Sequence, residues 1–409
     1  MRRVLFLVLP VLLFSDDLKS LLEYANQNNR LVASSKLNRD AKTKEIESSK
    51  SAYLPTIDIG GTYQNIDGKS AFQAGDTYSG FVKAGFDIYD GGRRSALLSK
   101  TKDELGASEH NLKETKQSLN LQIVQDFFNI KSLQATLNSK EDAKKSIEEQ
   151  LSRVKQFYEA KLAVKDDVER LQASYDTNIY EIESIKFKIL SAKKYLELKV
   201  SKNIDSLEDS SFKEVADVAY EQRDAIKSLV YGQKAILSGA ESIDSIYYPK
   251  VRIEDSYNIY DYHDLTPATA AMLADKQNIL SLSVSMRLFD YGYAKETKQA
   301  TILNAKALGQ EIEYKNQEQK ISQELAYERI KTTKLQIASA KSALVSATSA
   351  YEIINKKFNA RIVDNVVFLD ALSAKTTADA LHESAKNDLE LAYAAYYYYS
   401  GKDLGEFIK

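Results

Sequence analysis

The sequence predicts an exported, mainly α-helical protein whose four β-strands per chain belong to a membrane barrel that one copy cannot close. Three observations lead there. The chain is duplicated: Ser51-Ala52-Tyr53-Leu54-Pro55-Thr56-Ile57-Asp58-Ile59 returns as Ser245-Ile246-Tyr247-Tyr248-Pro249-Lys250-Val251-Arg252-Ile253, and Phe86-Asp87-Ile88-Tyr89-Asp90-Gly91-Gly92 returns as Met286-Arg287-Leu288-Phe289-Asp290-Tyr291-Gly292. A third pair, Phe157-Tyr158-Glu159-Ala160-Lys161-Leu162-Ala163 and Lys357-Phe358-Asn359-Ala360-Arg361-Ile362-Val363, lies at the offset that separates Asp90 from Asp290. Such duplication signals a pseudo-symmetric architecture. Second, only 4 prolines and 15 glycines interrupt 409 residues rich in helix formers, and Pro55 and Pro249 hold equivalent places in the repeat. Third, residues 279–289 alternate strictly, with Leu280, Leu282, Val284, Met286 and Leu288 against Ser281, Ser283, Ser285 and Arg287. One apolar and one polar face over about ten residues is the pattern of a membrane barrel strand.

The chain opens on Met1-Arg2-Arg3, an apolar run from Val4 to Phe14, and Ser15-Asp16-Asp17, the three parts of a secretory signal. Residues 1–15 are therefore expected to be removed. A first repeat follows over 16–202, a short irregular linker over 203–211, a second repeat over 212–400 and a tail over 401–409. No other stretch is long and apolar enough for a membrane helix, so membrane residence has to come from a barrel. The absence of cysteine excludes disulfides, thiolate chemistry and a lipid-modified cysteine anchor. With 56 basic and 58 acidic residues interspersed, no basic field for nucleic acid exists.

Element by element, residues 17–51 read as a helix with Leu18, Leu21, Leu22 and Ala25 at helical spacing, ended by Pro55. Residues 56–64 alternate as a strand, residues 65–77 are a polar loop and residues 80–89 are a second strand, giving a hairpin. From Arg93 to about Phe157 nothing breaks the helix. Leu105, Leu112 and Leu119 recur every seventh position before Ile123, Phe127 and Ile130 continue the stripe, a coiled-coil pattern on the order of 100 Å long at about 1.5 Å per residue. A turn at 161–165 returns the chain through about Lys199. The second repeat has a helix over 212–245, strands over 250–260 and 279–289, and the same long helical hairpin. Four strands cannot close a barrel, for which about eight is the minimum. Three copies would supply twelve strands, with twelve long helices continuing the wall.

Taken together, the chain resembles the TolC-type outer-membrane efflux proteins over essentially its whole mature length. Phe86-Asp87-Ile88-Tyr89-Asp90-Gly91-Gly92-Arg93-Arg94 is close to the family's Phe-Asp-Gly-Gly-Arg junction, and Leu288-Phe289-Asp290-Tyr291-Gly292 is its weaker copy. Where the family's helical tips read aromatic-x-x-Gly-x-x-x-x-x-Asp-Val, this sequence has Tyr158 to Val168, and in the second copy Phe358-Asn359-Ala360-Arg361 onward to Val367-Phe368-Leu369-Asp370. The resemblance implies a homotrimer with a twelve-stranded barrel in the outer membrane of a Gram-negative cell and an α-barrel across the periplasm. It also implies a closed tip aperture that meets a periplasmic adaptor and an inner-membrane transporter. The cargo would be small toxic compounds, with protein secretion and metal efflux as alternatives within the family. No enzymatic activity and no cofactor are implied.

On that resemblance the aperture set is Asp370, Asp364, Arg361, Phe358, Asp166, Asp167 and Lys161. The junction set is Asp90, Gly91, Gly92, Arg93, Asp290 and Gly292. Leu280, Leu282, Val284, Met286 and Leu288 would face outer-membrane lipid. Asp370, gathered three times about the trimer axis, would form a carboxylate ring that favours cations, and Asp166 or Asp167 could close an ion pair with Arg361. Arg93 and Arg94 could reach lipid headgroups or water. Two departures stand out: both tip glycines of the family are replaced, by Lys161 and Arg361, and Val367 stands where an acidic residue is usual. His110, His263 and His382 lack ligand spacing, so no metal site is expected. Read from the residues alone, a periplasmic coiled-coil structural or adaptor protein is the rival. The alternation over 279–289 separates the two, because an adaptor has no use for a strand with a wholly apolar face.

Overall fold

The computed structural model describes residues 17–67, 73–214, 218–264 and 266–409; the expected signal segment, residues 1–15, lies outside them. In order come α1 (Leu18–Asn28), α2 (Arg30–Ser51), β1 (Thr56–Asn65), β2 (Asp76–Asp90), α3 (Arg93–Glu159), α4 (Lys165–Val200), α5 (Asp224–Asp244), β3 (Lys250–His263), a single turn α6 (Pro267–Ala270), β4 (Lys276–Ser285), α7 (Tyr293–Asn359) and α8 (Asn365–Tyr399). The duplication survives to the residue: α3 and α7 each have 67 residues. Two compact units result, one of Met1–Ser35, Leu112–Asp224 and Lys315–Lys409, the other of Lys36–Asn111 and Ala225–Tyr314. Each draws on both sequence repeats. Among the described residues no helix is long and apolar enough to cross a membrane.

In the first unit the heptad stripe of α3 is the core. Leu119, Ile123, Phe127 and Ile130 are buried with Leu18, Leu21, Leu22 and Ala25 of α1, Leu196 and Val200 of α4, and Tyr396, Tyr397 and Tyr398 of α8. A second cluster nearer the helical tips joins Ile147, Leu151 and Val154 of α3 to Leu171 of α4 and to Phe368 and Leu372 of α8.

Three expectations are corrected. Residues 17–51 are two helices, not one, because Asn29 interrupts them. Its backbone is extended, its Oδ1 accepts from Leu31 N at 2.7 Å, and its Nδ2 donates to the Lys199 carbonyl at 2.6 Å. Asparagine thereby starts a new helix by capping it. The helix expected from Phe212 begins only at Asp224: Phe212 forms a bridge with Ile408, Lys213 N donates to the Phe407 carbonyl at 2.8 Å and Lys409 N to the Ser211 carbonyl at 2.9 Å. Burying Phe212 at 2 % exposure beside Phe128 and Tyr397 outweighs local helix preference. The strand expected to reach Phe289 ends at Ser285, leaving Met286 and Leu288 beyond β4 without regular secondary structure.

In the second unit the two hairpins form a single antiparallel sheet in the order β1-β2-β3-β4, joined through β2 and β3. Exposure alternates along the middle of β2 and the second half of β3, where residues of the face shared with Ala84 are the less shielded.

Candidate functional site

Directly opposed residues of an antiparallel sheet share a face, so register assigns both walls. Ile57, Ala84, Asp255 and Leu280 form one row. Phe86, Ile253 and Leu282 lie on one side of it, then Tyr89, Val251 and Val284; Ile59, Val82, Tyr257 and Asn278 lie on the other, then Gly61, Gly80, Ile259 and Lys276. Leu280, Leu282 and Val284 are at least 65 % exposed, and among the described residues nothing covers them. Tyr63 and Tyr78 follow, with ring centroids 4.8 Å apart, where an aromatic girdle would stand. The sequence reading passed over Asp255, which interrupts the apolar face in its central row.

The opposite face carries charge at the junction end of the sheet. Arg252 donates to Asp87 at 2.8 Å and pairs with Glu254 at 3.4 Å, and Lys83 approaches Glu254 at 3.8 Å. Gly85 makes this possible, since a Cβ there would stand 2.3 Å from Arg252 Nη2. Further along, Gly60 is covered by the Phe81 ring.

At the first strand-to-helix junction Asp90 is buried and accepts from Arg94 N at 3.0 Å. Gly91 (φ +74) and Gly92 (φ +85) turn the chain, and a Cβ on Gly91 would also lie 2.7 Å from the Ser245 carbonyl oxygen. Arg94 reaches neither headgroups nor water. It is 7 % exposed, pairs with Asp90 at 3.3 Å, donates to the Asp87 and Ala52 carbonyls at 2.6 and 3.2 Å, and lies over the Tyr53 ring. Arg93 stays at the surface, 3.6 Å from Asp90. In the second copy Asp290 accepts from Gly292 N and Ala294 N, both at 3.0 Å, and from Tyr247 Oη at 2.6 Å, which holds its carboxyl below the usual range. Tyr291 takes the first glycine's place with φ +56.

The tips show why glycine is the family's choice. Leu162 N donates to the Phe157 carbonyl at 2.7 Å and Lys161 N to Tyr158 at 2.9 Å; Ile362 N donates to Lys357 at 2.8 Å and Arg361 N to Phe358 at 2.9 Å. Both are Schellman turns with the left-handed residue at the position glycine favours, and Lys161 (φ +62) and Arg361 (φ +60) adopt that conformation regardless. Lys161→Gly is therefore expected to stabilise the fold by about 0.5–1 kcal/mol, read as a higher midpoint in denaturant melts.

Around the tips, Arg361 lies 3.8 Å over the Phe157 ring of the other hairpin, and Asp166 pairs with Arg170 at 2.8 Å. Within the chain, and among the described residues, the expected pair of Arg361 with Asp166 or Asp167 is not formed. Asp167 instead accepts, through its carbonyl, from Asn365 Nδ2 at 3.1 Å. Asp364 caps α8 by accepting from Val367 N at 3.0 Å. Phe358 stacks on Phe368 at 4.9 Å, and Asp370 is exposed on α8. Arg153, missed in the sequence, joins the two hairpins by a hydrogen bond to Asn359.

Elsewhere in the first unit, Arg223 stacks 4.0 Å over the Tyr398 ring and bonds Glu114. Burial raises Tyr397 to about 12. Glu390 of α8 accepts the Phe212 N–H; burial pushes its carboxyl above the ordinary glutamate value, which that N–H only partly offsets. A raised value in the folded state means ionisation opposes the fold: the stabilising share is complete below the ordinary glutamate range and is lost as pH rises through the raised value. Glu390→Gln is accordingly expected to match the wild type at about pH 4 and to melt later than it at about pH 7.5.

Residues 21–181 match the family model of the outer membrane efflux protein. The Vibrio cholerae outer membrane protein TolC is 26 % identical over 165 residues, which are 40 % of this chain and 37 % of that protein. The aligned stretch thus spans little more than a third of that relative. Among solved structures, a Pseudomonas aeruginosa membrane protein superposes with TM-score 0.82 at 14 % identity, covering 94 % of this chain and 93 % of that one. The Campylobacter jejuni CmeC outer membrane channel does so with TM-score 0.83 at 14 % identity, covering 95 % and 86 %. Over residues 21–181 the chain is thus similar to the outer membrane efflux protein family, and its fold is that of solved outer-membrane channels such as CmeC.

Proposed function

We propose that three copies form the outer-membrane exit duct of a tripartite export system, carrying small toxic compounds across periplasm and outer membrane. The observation that carries this reading is the sheet: among the described residues it has four strands, with β1 and β4 as open edges, and an apolar face with no cover. In a bilayer every backbone polar group must be paired, which an open sheet cannot achieve and a closed barrel can. Joining β4 of each copy to β1 of the next keeps the pairing antiparallel and closes three four-stranded sheets into twelve strands. Leu280, Leu282 and Val284, with Met286 and Leu288 beyond the strand, then meet lipid, and the Arg252 network lines the lumen. The duct would receive its cargo from a periplasmic adaptor and an inner-membrane transporter, which supplies the energy.

Fractionation followed by the molar mass of the detergent-extracted protein tests this. A mass near three chains from the outer membrane supports the duct; a periplasmic species soluble without detergent leaves no barrel and no transport role. The aperture reading has its own test. Asp370→Asn is expected to weaken cation preference in single-channel recordings, and an unchanged reversal potential would take Asp370 out of the aperture.

A further inference from the structure

Two glycines on the charged face of the sheet lie under side chains from the next strand. A Cβ on Gly60 of β1 would stand 2.8 Å from Phe81 Cε1 and closer still to Cζ, and one on Gly85 of β2 would stand 3.1 Å from Arg252 Cζ and closer still to Nη2. Carbon atoms in contact keep about 3.5–4.0 Å apart, so glycine at these positions leaves the space in which the ring and the guanidinium lie along the wall. Arg252 is fastened there, between Asp87 at 2.8 Å and Glu254 at 3.4 Å. Phe81 is half-buried, although its smaller neighbour Val82 on the other face is 46 % exposed. The apolar face provides the contrast. Among the described residues, a Cβ on Gly61 would meet only the Ser79 carbonyl oxygen at 3.2 Å, and one on Gly80 would have no atom beyond its chain neighbours within 4 Å.

We propose that Gly60 and Gly85 set the bore of the duct: by letting Phe81 and Arg252 lie flat, they keep the lumen open to bulky cargo at two levels. Gly85 stands opposite Thr56, four residues along β1 from Gly60, so the levels are about 13 Å apart along the strand. This rests on the duct reading, in which this face lines the lumen, and adds the residues that limit the size of what passes. Twelve strands about 4.8 Å apart and tilted about 40° enclose roughly 24 Å between opposite backbones. Side chains standing off a sheet take roughly 5 Å each, half the spacing of packed sheets, so three upright rings would remove a good part of that width. A side chain added at either glycine displaces the covering group at its free end, and the open side is the lumen. The hydrogen-bonded ladder keeps its register.

The sequence has no cysteine, so Ser285→Cys places a single thiol on the same face, exposed and nearer the junction end than either glycine. Whole cells carrying this variant are treated with a small maleimide as reference and with maleimides on polymers of increasing size, too large to cross the outer membrane by another route. The small reagent is expected to react throughout. Adding Gly60→Val or Gly85→Val should lower the largest polymer that reacts, and slow those near the limit by roughly ten-fold or more relative to the reference. Phe81→Ala should restore the limit in the first variant and Arg252→Ala in the second, while Gly80→Val should leave it unchanged. Phe81→Ala alone should scarcely move the limit, because a flat ring takes little of the bore. Where a valine variant does not reach the membrane, Gly60→Ala and Gly85→Ala, which add the Cβ alone, give the same reading. An unchanged limit in either glycine variant, a loss that truncating the covering side chain does not restore, or an equal loss in Gly80→Val would overturn the proposal. So would marked widening by Phe81→Ala alone, since the ring would then already stand in the duct. If no species of three chains is recovered, or the small maleimide does not react with Ser285→Cys, the duct reading falls and takes this inference with it; a reactive thiol behind an indifferent size limit sinks the inference alone.

Discussion

Leu282→Arg is expected to cost about 2–4 kcal/mol and to deplete the protein from outer membranes, because it sets a cation near the middle of the apolar wall. Register places Leu282 opposite Ile253, which is itself opposite Phe86, one row from the central row of the face. It is 65 % exposed in the isolated chain, so the change removes no internal packing. The penalty therefore reports on the surroundings of the sheet and not on its interior. Ser283→Arg, on the opposite face of the same strand, is the matched control and should insert normally. Equal membrane yields for the two variants would mean that the apolar wall does not meet lipid.

The second large effect is expected at the junction. Arg94→Met should destabilise the protein by about 3–5 kcal/mol, since removing one member of a buried ion pair leaves the other charge uncompensated. Asp90, at 7 % exposure, would keep only the Arg94 N–H at 3.0 Å and the distant Arg93, and the Asp87 and Ala52 carbonyls would lose their donor. Arg93→Met, at the more exposed neighbour, should cost under about 1 kcal/mol, as surface pairs do. Denaturant melts of the extracted protein decide between them; similar losses would show that burial of Arg94 does not govern the junction.

Long-range repetition and local periodicity made much of this fold legible. The heptads of α3, the alternation of β4 and the paired tips all read directly, because each is a pattern along the chain imposed by one repeating geometry. What did not read was set by partners distant in sequence. Phe212 looked helical until Ile408, Tyr397 and Phe128 claimed it. Asn29 looked like one more polar helix residue, yet its cap and its bond to Lys199 divide the first helix. Arg94 looked exposed beside Arg93 because charge alone cannot tell which of two arginines turns inward. Pairing of β2 with β3 across some 160 residues was likewise invisible, and with it the row that sets Asp255 between Ala84 and Leu280. At the tips the sequence paired Arg361 with carboxylates, whereas it lies over an aromatic ring from the other hairpin.

The open sheet also has a cost in time. In the proposed duct each copy would cross water, until it met its neighbours, with two unpaired strand edges and an apolar face open to solvent, the combination that templates edge-to-edge aggregation. Folding of the helices could then proceed copy by copy, but completion of the barrel would be a collision problem that becomes slower as the protein grows scarcer. On that reading the vulnerable species is the lone chain in transit, and an escort or a coupling of assembly to insertion would shorten its exposure.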